Sequence, residues 1–410
     1  MTISLAIARW IRRYPVLSFM GAVVAVLLVM AVVTYFSVRN ALEGTSISNE
    51  QISSLCWSPD GRELAVSDTW GTRVLACNDS RLEFSRILEG NALVDMRWSR
   101  DGTMLACYDI SAFVMLEADS GKSTTVHFFD SFPIEGLDWG PLNQLAFAGD
   151  DKLRSARIEN KGTAPVTFDT IPADILEPLR SGSGRYGEVE AEVRWTDRGL
   201  TMLHIFPKAL YIFRAGRRFD PLRIPRPGAT RISPTGDEMA TLDLSTVPAG
   251  IQLWDIASSP QRSRVLSPMS TLILPDETST LLRPWIQGRL ANTIAWSASG
   301  RHLAASIVLL RPGGRPSVCL LSWWEAATGR LIASRRLDLS SYSLRIPVSG
   351  GYYVTEFSLV AWSTDLSKAA VAVSVWRYNY KGNAIQHIQS IVKVIPAPEE
   401  VVKAVGQVRN

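Results

Sequence analysis

The five residues Trp57-Ser58-Pro59-Asp60-Gly61 constrain this chain more than any other stretch, because they come back. Variants follow at Trp98-Ser99-Arg100-Asp101-Gly102, Trp139-Gly140-Pro141-Leu142-Asn143 and Trp195-Thr196-Asp197-Arg198-Gly199. Three more stand at Ile232-Ser233-Pro234-Thr235-Gly236, Trp296-Ser297-Ala298-Ser299-Gly300 and Trp362-Ser363-Thr364-Asp365-Leu366. The leading residues are separated by 41, 41, 56, 37, 64 and 66 positions. In each copy a large apolar residue closes an alternating segment. A tight turn follows, and then a second segment such as Arg62-Glu63-Leu64-Ala65-Val66-Ser67. Proline at the second turn position presets the φ of a type I turn, and glycine at its end accepts the left-handed conformation. Each copy therefore reads as a β-hairpin.

A hairpin returning about every 40 residues is the sequence mark of propeller blades. The reading is an all-β chain, a seven-bladed β-propeller preceded by one N-terminal transmembrane helix. At the usual ~43 residues per blade, seven blades absorb about 300 residues, so one domain plus an anchor accounts for the 410 present.

In these residues the chain, over roughly 50–395, resembles the WD-repeat family and the TolB-like periplasmic propellers, which share the Trp-Ser-Pro-Asp-Gly turn. Further matches sit where third strands should end: Leu253-Trp254-Asp255, Trp324-Glu325-Ala326-Ala327-Thr328-Gly329-Arg330 and Leu116-Glu117-Ala118-Asp119-Ser120-Gly121-Lys122. The Gly-His dipeptide of standard WD repeats is missing. The resemblance implies a non-catalytic interaction or scaffold module.

Composition narrows the function classes. A net charge of +4 gives little support to nucleic-acid binding, which calls for a concentrated basic face. The four histidines are scattered and no Cys-x-x-Cys occurs, so no metal and no cofactor is expected. Cys56 and Cys77 fall on the first and third strands of one blade, two strand spacings apart and beyond disulfide reach. With Cys107 and Cys319 they read as free thiols packing as small hydrophobes.

Residues 1–14 carry Arg9, Arg12 and Arg13 and no acid. Val16 to Val38 are 23 residues without a charge, a helix about 35 Å long against a ~30 Å hydrocarbon core. Trp10, Tyr14 and Tyr35 suit the interfacial belts. A cleaved signal peptide has a shorter apolar region and a small-residue cleavage site. The expected organisation is a cytoplasmic N-terminus (1–14), a transmembrane helix (15–38), a polar linker (39–50) and the propeller (51–410). The charge asymmetry places the N-terminus in the cytoplasm and the propeller outside it, periplasmic in a bacterium, with the membrane held through residues 16–38.

In the first blade the strands after Trp57 are expected near 62–68, 72–78 and 82–88. The last strands are expected from about 386 to 408. Either the 39–50 linker or the Val401–Val408 segment closes the ring. An arginine run, Arg214, Arg217, Arg218, Arg223, Arg226 and Arg231, reads as a solvated turn and outer strand or as a contact for anionic lipid or an acidic partner.

Strands alternate in direction within a blade, so d–a and b–c loops open on one face and a–b turns on the other. The long segments, 170–188, 267–292, 311–316, 338–353 and 377–383, all fall in the first class. Long loops on a rigid scaffold are where binding usually resides. The candidate partner-binding residues are Trp285, Arg311, Arg315, Tyr352, Tyr353, Trp376, Tyr378 and Tyr380, aromatic and arginine anchors of the kind found in interface hot spots. The alternative is a propeller enzyme or a small-ligand or carbohydrate-binding propeller, quinoprotein-like or lyase/lactonase-like. A propeller peptidase requires a Gly-x-Ser-x-Gly elbow, and none occurs.

Overall fold

The repeated turn locks itself through its serine. In the computed structural model the Ser58 hydroxyl donates to Asp60 Oδ1 at 2.7 Å and accepts from the Glu63 amide at 2.9 Å. Asp60 Oδ1 also accepts from the Arg62 amide at 3.0 Å, and the Gly61 amide donates to the Ser58 carbonyl at 2.9 Å. Burial opposes ionisation of Asp60, but the Ser58 hydroxyl and the Arg62 amide outweigh it and hold its pKa below the ordinary value. Ser99 with Asp101 and Ser363 with Asp365 repeat the arrangement at 2.6 and 2.7 Å. Where the acid is replaced, Thr235 and Ser299 hydroxyls take its place. Gly61, Gly102, Gly236 and Gly300 close their turns at φ of 69°, 74°, 77° and 69°. Leu366 occupies the same position at φ 56° without glycine's freedom and is fully buried.

The structure describes residues 45–406 except 89–94, 109–111, 128–133, 142–143, 150–151, 158–167, 171–189, 207–208, 215–216, 219–226, 244–249, 258–262, 266–282, 285–292, 312–314, 340–346, 349–350, 380 and 382–383. The described strands are grouped in seven antiparallel sheets of four or five strands, an all-β propeller. In the first sheet the strands Ser54–Trp57, Glu63–Asp68, Gly71–Asn78 and Arg81–Leu88 pair in chain order, within one residue of the expected boundaries. The inner strands of the other six are Asp95–Trp98, Ile134–Trp139, Glu190–Thr196, Pro227–Ile232, Thr293–Trp296 and Gly351–Trp362.

Period-two alternation sends the two faces of each sheet into two different cores. Leu64, Val66 and Leu75 of the first sheet pack with Leu359, Ala370, Ala372 and Val392 of the seventh. The intervening Ala65 and Val74 pack instead with Met96, Trp98, Leu105 and Leu116 of the second. Both faces are therefore apolar, with small residues where neighbouring sheets approach.

The closing strand is supplied by the N-terminal side. Thr45–Ser48, inside the expected linker, pairs antiparallel with Ala384–Pro396, with Thr45 opposite Val392. His387 Nδ1 lies 3.0 Å from the Asn49 carbonyl beside it. The expectation of strand to residue 408 is corrected: Glu399–Gly406 is a helix. Glu399 and Glu400 in its first turn and Lys403 in its last complement the helix dipole, and Val401 buries against the body. Among the described residues no helix is long and apolar enough to cross a membrane. The expected span at 16–38 lies outside them.

Candidate functional site: the central channel and the long-loop face

One residue of each inner strand, the one before the turn-leading Trp or Ile, lines the ring axis, although Cys56 and Ala361 also touch the neighbouring cores. These are Cys56, Arg97, Asp138, Arg194, Arg231, Ala295 and Ala361, all of them half-buried. Together with the turn-leading tryptophans they surround a cavity of about 530 Å³, rimmed by Pro59, Arg100, Asp197, Pro234 and Ala298. All the inner strands contribute to the lining, so the cavity is the propeller's central channel, and the rim residues place its mouth on the a–b turn face.

The tryptophans stitch neighbouring inner strands together. Trp98 Nε1 donates to the Cys56 carbonyl at 3.0 Å, Trp139 Nε1 to Arg97 at 2.8 Å and Trp296 Nε1 to Arg231 at 3.1 Å. Trp57 Nε1 donates to the Ala361 carbonyl at 3.2 Å, which joins the first inner strand to the last. Trp362 uses the Thr293 hydroxyl instead, at 3.0 Å. Trp195 departs from the pattern: its indole nitrogen is buried without a partner. Its ring lies over Gly140, where an added Cβ would come within 2.6 Å of it.

The channel wall is lopsided. Four neighbouring sheets present Arg97, Asp138, Arg194 and Arg231, and the other three present alanine, alanine and cysteine. Arg97 is held by Asp95 at 2.7 Å and also donates to the Met96 carbonyl. Burial works against its charge, but Asp95 and other neighbours outweigh burial and raise its pKa. Arg231 stands 3.5 Å from Glu192, whose side chain is 11% exposed. Burial raises the Glu192 pKa against the opposing pull of Arg231, Arg194 and Arg97. Asp138 Oδ2 accepts from the Trp195 amide at 2.8 Å. Arg100, on the rim, reaches the carbonyls of Trp139 and Trp195 at 3.2 and 3.1 Å and ties three strand ends together. Burial pushes the Cys56 thiol up to about 11, so it remains protonated at neutral pH and is a poor nucleophile. All four cysteines are free.

The described members of the sequence-predicted binding set lie on the opposite face. Trp285 and Tyr380 fall outside the described residues. Arg311, Arg315, Tyr352 and Tyr353 lie on strands of the sixth and seventh sheets. Trp376 packs edge-on against His387, with centroids 4.9 Å apart, and the Tyr378 hydroxyl donates to Glu356 at 2.9 Å. Both are half-buried on their own hairpins. The strands here are long, at 10 and 11 residues in the sixth sheet and 12, 11 and 13 in the seventh, against 4 to 8 in the first. Compared with the matching strands of the first sheet these are three to five residues longer, which at ~3.3 Å each raises the hairpins ~10–16 Å. Trp70, in the b–c turn of the first sheet, is 75% exposed. Sequence reasoning passed over it because it follows an ordinary short strand.

The chain is similar in structure to the β-propeller domain of Cps50 (Swd1) from Myceliophteria thermophila, with a TM-score of 0.54. Sequence identity is 16%, covering 86% of this chain and 98% of that one. At that identity the likeness shows the fold. No protein-family model matches the chain, and no curated protein does.

Proposed function

We propose that this chain is a membrane-anchored, seven-bladed, non-catalytic propeller whose d–a/b–c face binds a protein partner outside the cytoplasm. The observation that carries the reading is the raised face formed by the elongated hairpins of the sixth and seventh sheets, with Trp70 exposed on the adjoining first sheet. An exposed tryptophan on a rigid turn is an inexpensive interface anchor, since little side-chain entropy is lost on binding. Seven sheets around one channel support the blade count, and the likeness to a WD-type propeller domain supports a scaffold role. The uncharged stretch 16–38 after three arginines supports the anchor and its orientation.

The test places a photo-crosslinking residue at position 70 or 376 in the full chain in native membranes, with positions 62 and 103 on the a–b face as controls. A discrete protein adduct from 70 and 376 and none from 62 and 103 is expected. Adducts from the control positions alone refute the binding face. A reporter active only outside the cytoplasm, fused after Asn410, checks orientation separately.

A further inference from the structure

The channel's basic wall has no structural necessity. Three of the seven sheets meet the same level with Cys56, Ala295 and Ala361, and their tryptophans, Trp57, Trp296 and Trp362, still make the bonds to neighbouring strands. The other wall concentrates Arg97, Arg194 and Arg231 with Asp138 among them, and Arg100 and Asp197 stand at the rim. Arg97 and Arg231 face compensating carboxylates, whereas the Arg194 side chain makes no hydrogen bond and no close ion pair among the described residues, only a longer-range attraction to Glu192. Arg97 and Arg231 make these contacts through Nη1, and a guanidinium carries further donors in a planar fork suited to phosphate or carboxylate. The small residues opposite leave the space in which such a group would sit. A cavity of about 530 Å³ accommodates a small molecule.

We propose that the central channel is a binding site for a small oxyanion bearing two or more negative charges on phosphate or carboxylate groups, held by Arg194 with Arg97 and Arg231. The anion enters from the a–b face, past Arg100 and Pro234. This site is independent of the partner face proposed above and lies at the other end of the molecule. The wall is focused by its surroundings, since low-dielectric strands on all sides strengthen the field of the arginines at the cavity centre.

The test is calorimetric titration of the full chain in detergent with pyrophosphate and with citrate, at constant ionic strength set by sodium chloride. Saturable binding of at least one is expected, and the stronger of the two assigns phosphate or carboxylate chemistry. Arg194→Gln should weaken that binding at least about tenfold while moving the ligand-free melting temperature little, because among the described residues the side chain loses only its longer-range attraction to Glu192. Ala295→Glu places a carboxylate inside the cavity beside Arg231. It should abolish binding and raise the ligand-free melting temperature. Arg62→Gln, exposed on the same face but outside the lining, should bind as the unaltered chain does. If neither probe binds beyond the effect of chloride, or if Arg194→Gln and Ala295→Glu bind normally, the site does not exist.

Discussion

Replacing each turn-leading tryptophan by phenylalanine dissects how the sheets are joined, because one member of the series carries its own control. Trp98 and Trp139 are almost fully buried, and each donates its indole N–H to the inner strand of the preceding sheet. Phenylalanine keeps most of the packing and removes the donor. Leaving a buried carbonyl unpaired costs ~1–3 kcal/mol, and the lost aromatic area adds ~1 kcal/mol. Trp98→Phe and Trp139→Phe are therefore expected to cost ~2–4 kcal/mol each. Trp195→Phe loses a similar area but deletes a donor that is buried without an acceptor, so the two effects offset and the net change should be ~1 kcal/mol or less. The assay is thermal melting of the full chain followed by tryptophan emission, at a scan rate where unfolding is reversible. At ~1.2 °C per kcal/mol for a chain of this size, Trp98→Phe and Trp139→Phe should melt ~2–5 °C lower, and Trp195→Phe should melt almost unchanged. Equal losses at all three positions would show that the indole bonds contribute nothing and that packing alone joins the sheets.

Gly140→Ala should cost ~1–3 kcal/mol through overpacking against the Trp195 ring, and the cost should shrink in the Gly140→Ala, Trp195→Ala double variant; an undiminished cost in that cycle refutes the contact. Glu192 predicts a pH dependence. Burial raises its folded pKa above 4.5, so the folded state binds the proton more tightly than the unfolded one, and stability falls as pH rises from 4.5 through the raised value. Glu192→Gln should flatten that part of the melting-temperature profile, and an identical slope in the variant rules the assignment out.

The hairpins were legible because one local device recurs. A serine or threonine after the aromatic, an acid or hydroxyl two residues later and a residue able to hold positive φ are all short-range features, and short-range features survive in sequence. Leu366 shows how far the device tolerates loss, since its burial and its carbonyl, which accepts from Trp323 at 3.1 Å, fix a backbone that glycine holds elsewhere. The channel was legible by the same alternation but was not read. If Trp98 points into a core, Arg97 points the other way, and the same holds for Arg194 and Arg231. Arg231 follows an arginine run in sequence, which masks that its strand is the innermost of the fifth sheet. The ring closure was not legible, because pairing Thr45 with Val392 depends on where seven sheets return the chain, and nothing local records that. The tip aromatics show the reverse difficulty. Trp376 and Tyr378 look exposed in sequence, yet cross-strand neighbours His387 and Glu356 take up part of their surfaces.

The closing strand sets the order in which the chain can mature. Thr45–Ser48 leaves the ribosome ahead of every other described strand, and its partner Ala384–Pro396 is made last. Until then the edge of Ala384–Pro396 does not exist, and the apolar face formed by Leu55, Trp57 and Leu64 awaits Leu359, Ala370 and Val392. Joining ends some 345 residues apart costs only ~0.6 kcal/mol for each doubling of loop length, so equilibrium stability is little affected. The rate is affected, since long-range β pairing folds slowly and leaves partly formed sheets exposed while synthesis continues. A truncation of only the last strand therefore removes more than one strand, because it leaves the earliest-made segment with nothing to pair with and strips one face of the first sheet of its cover.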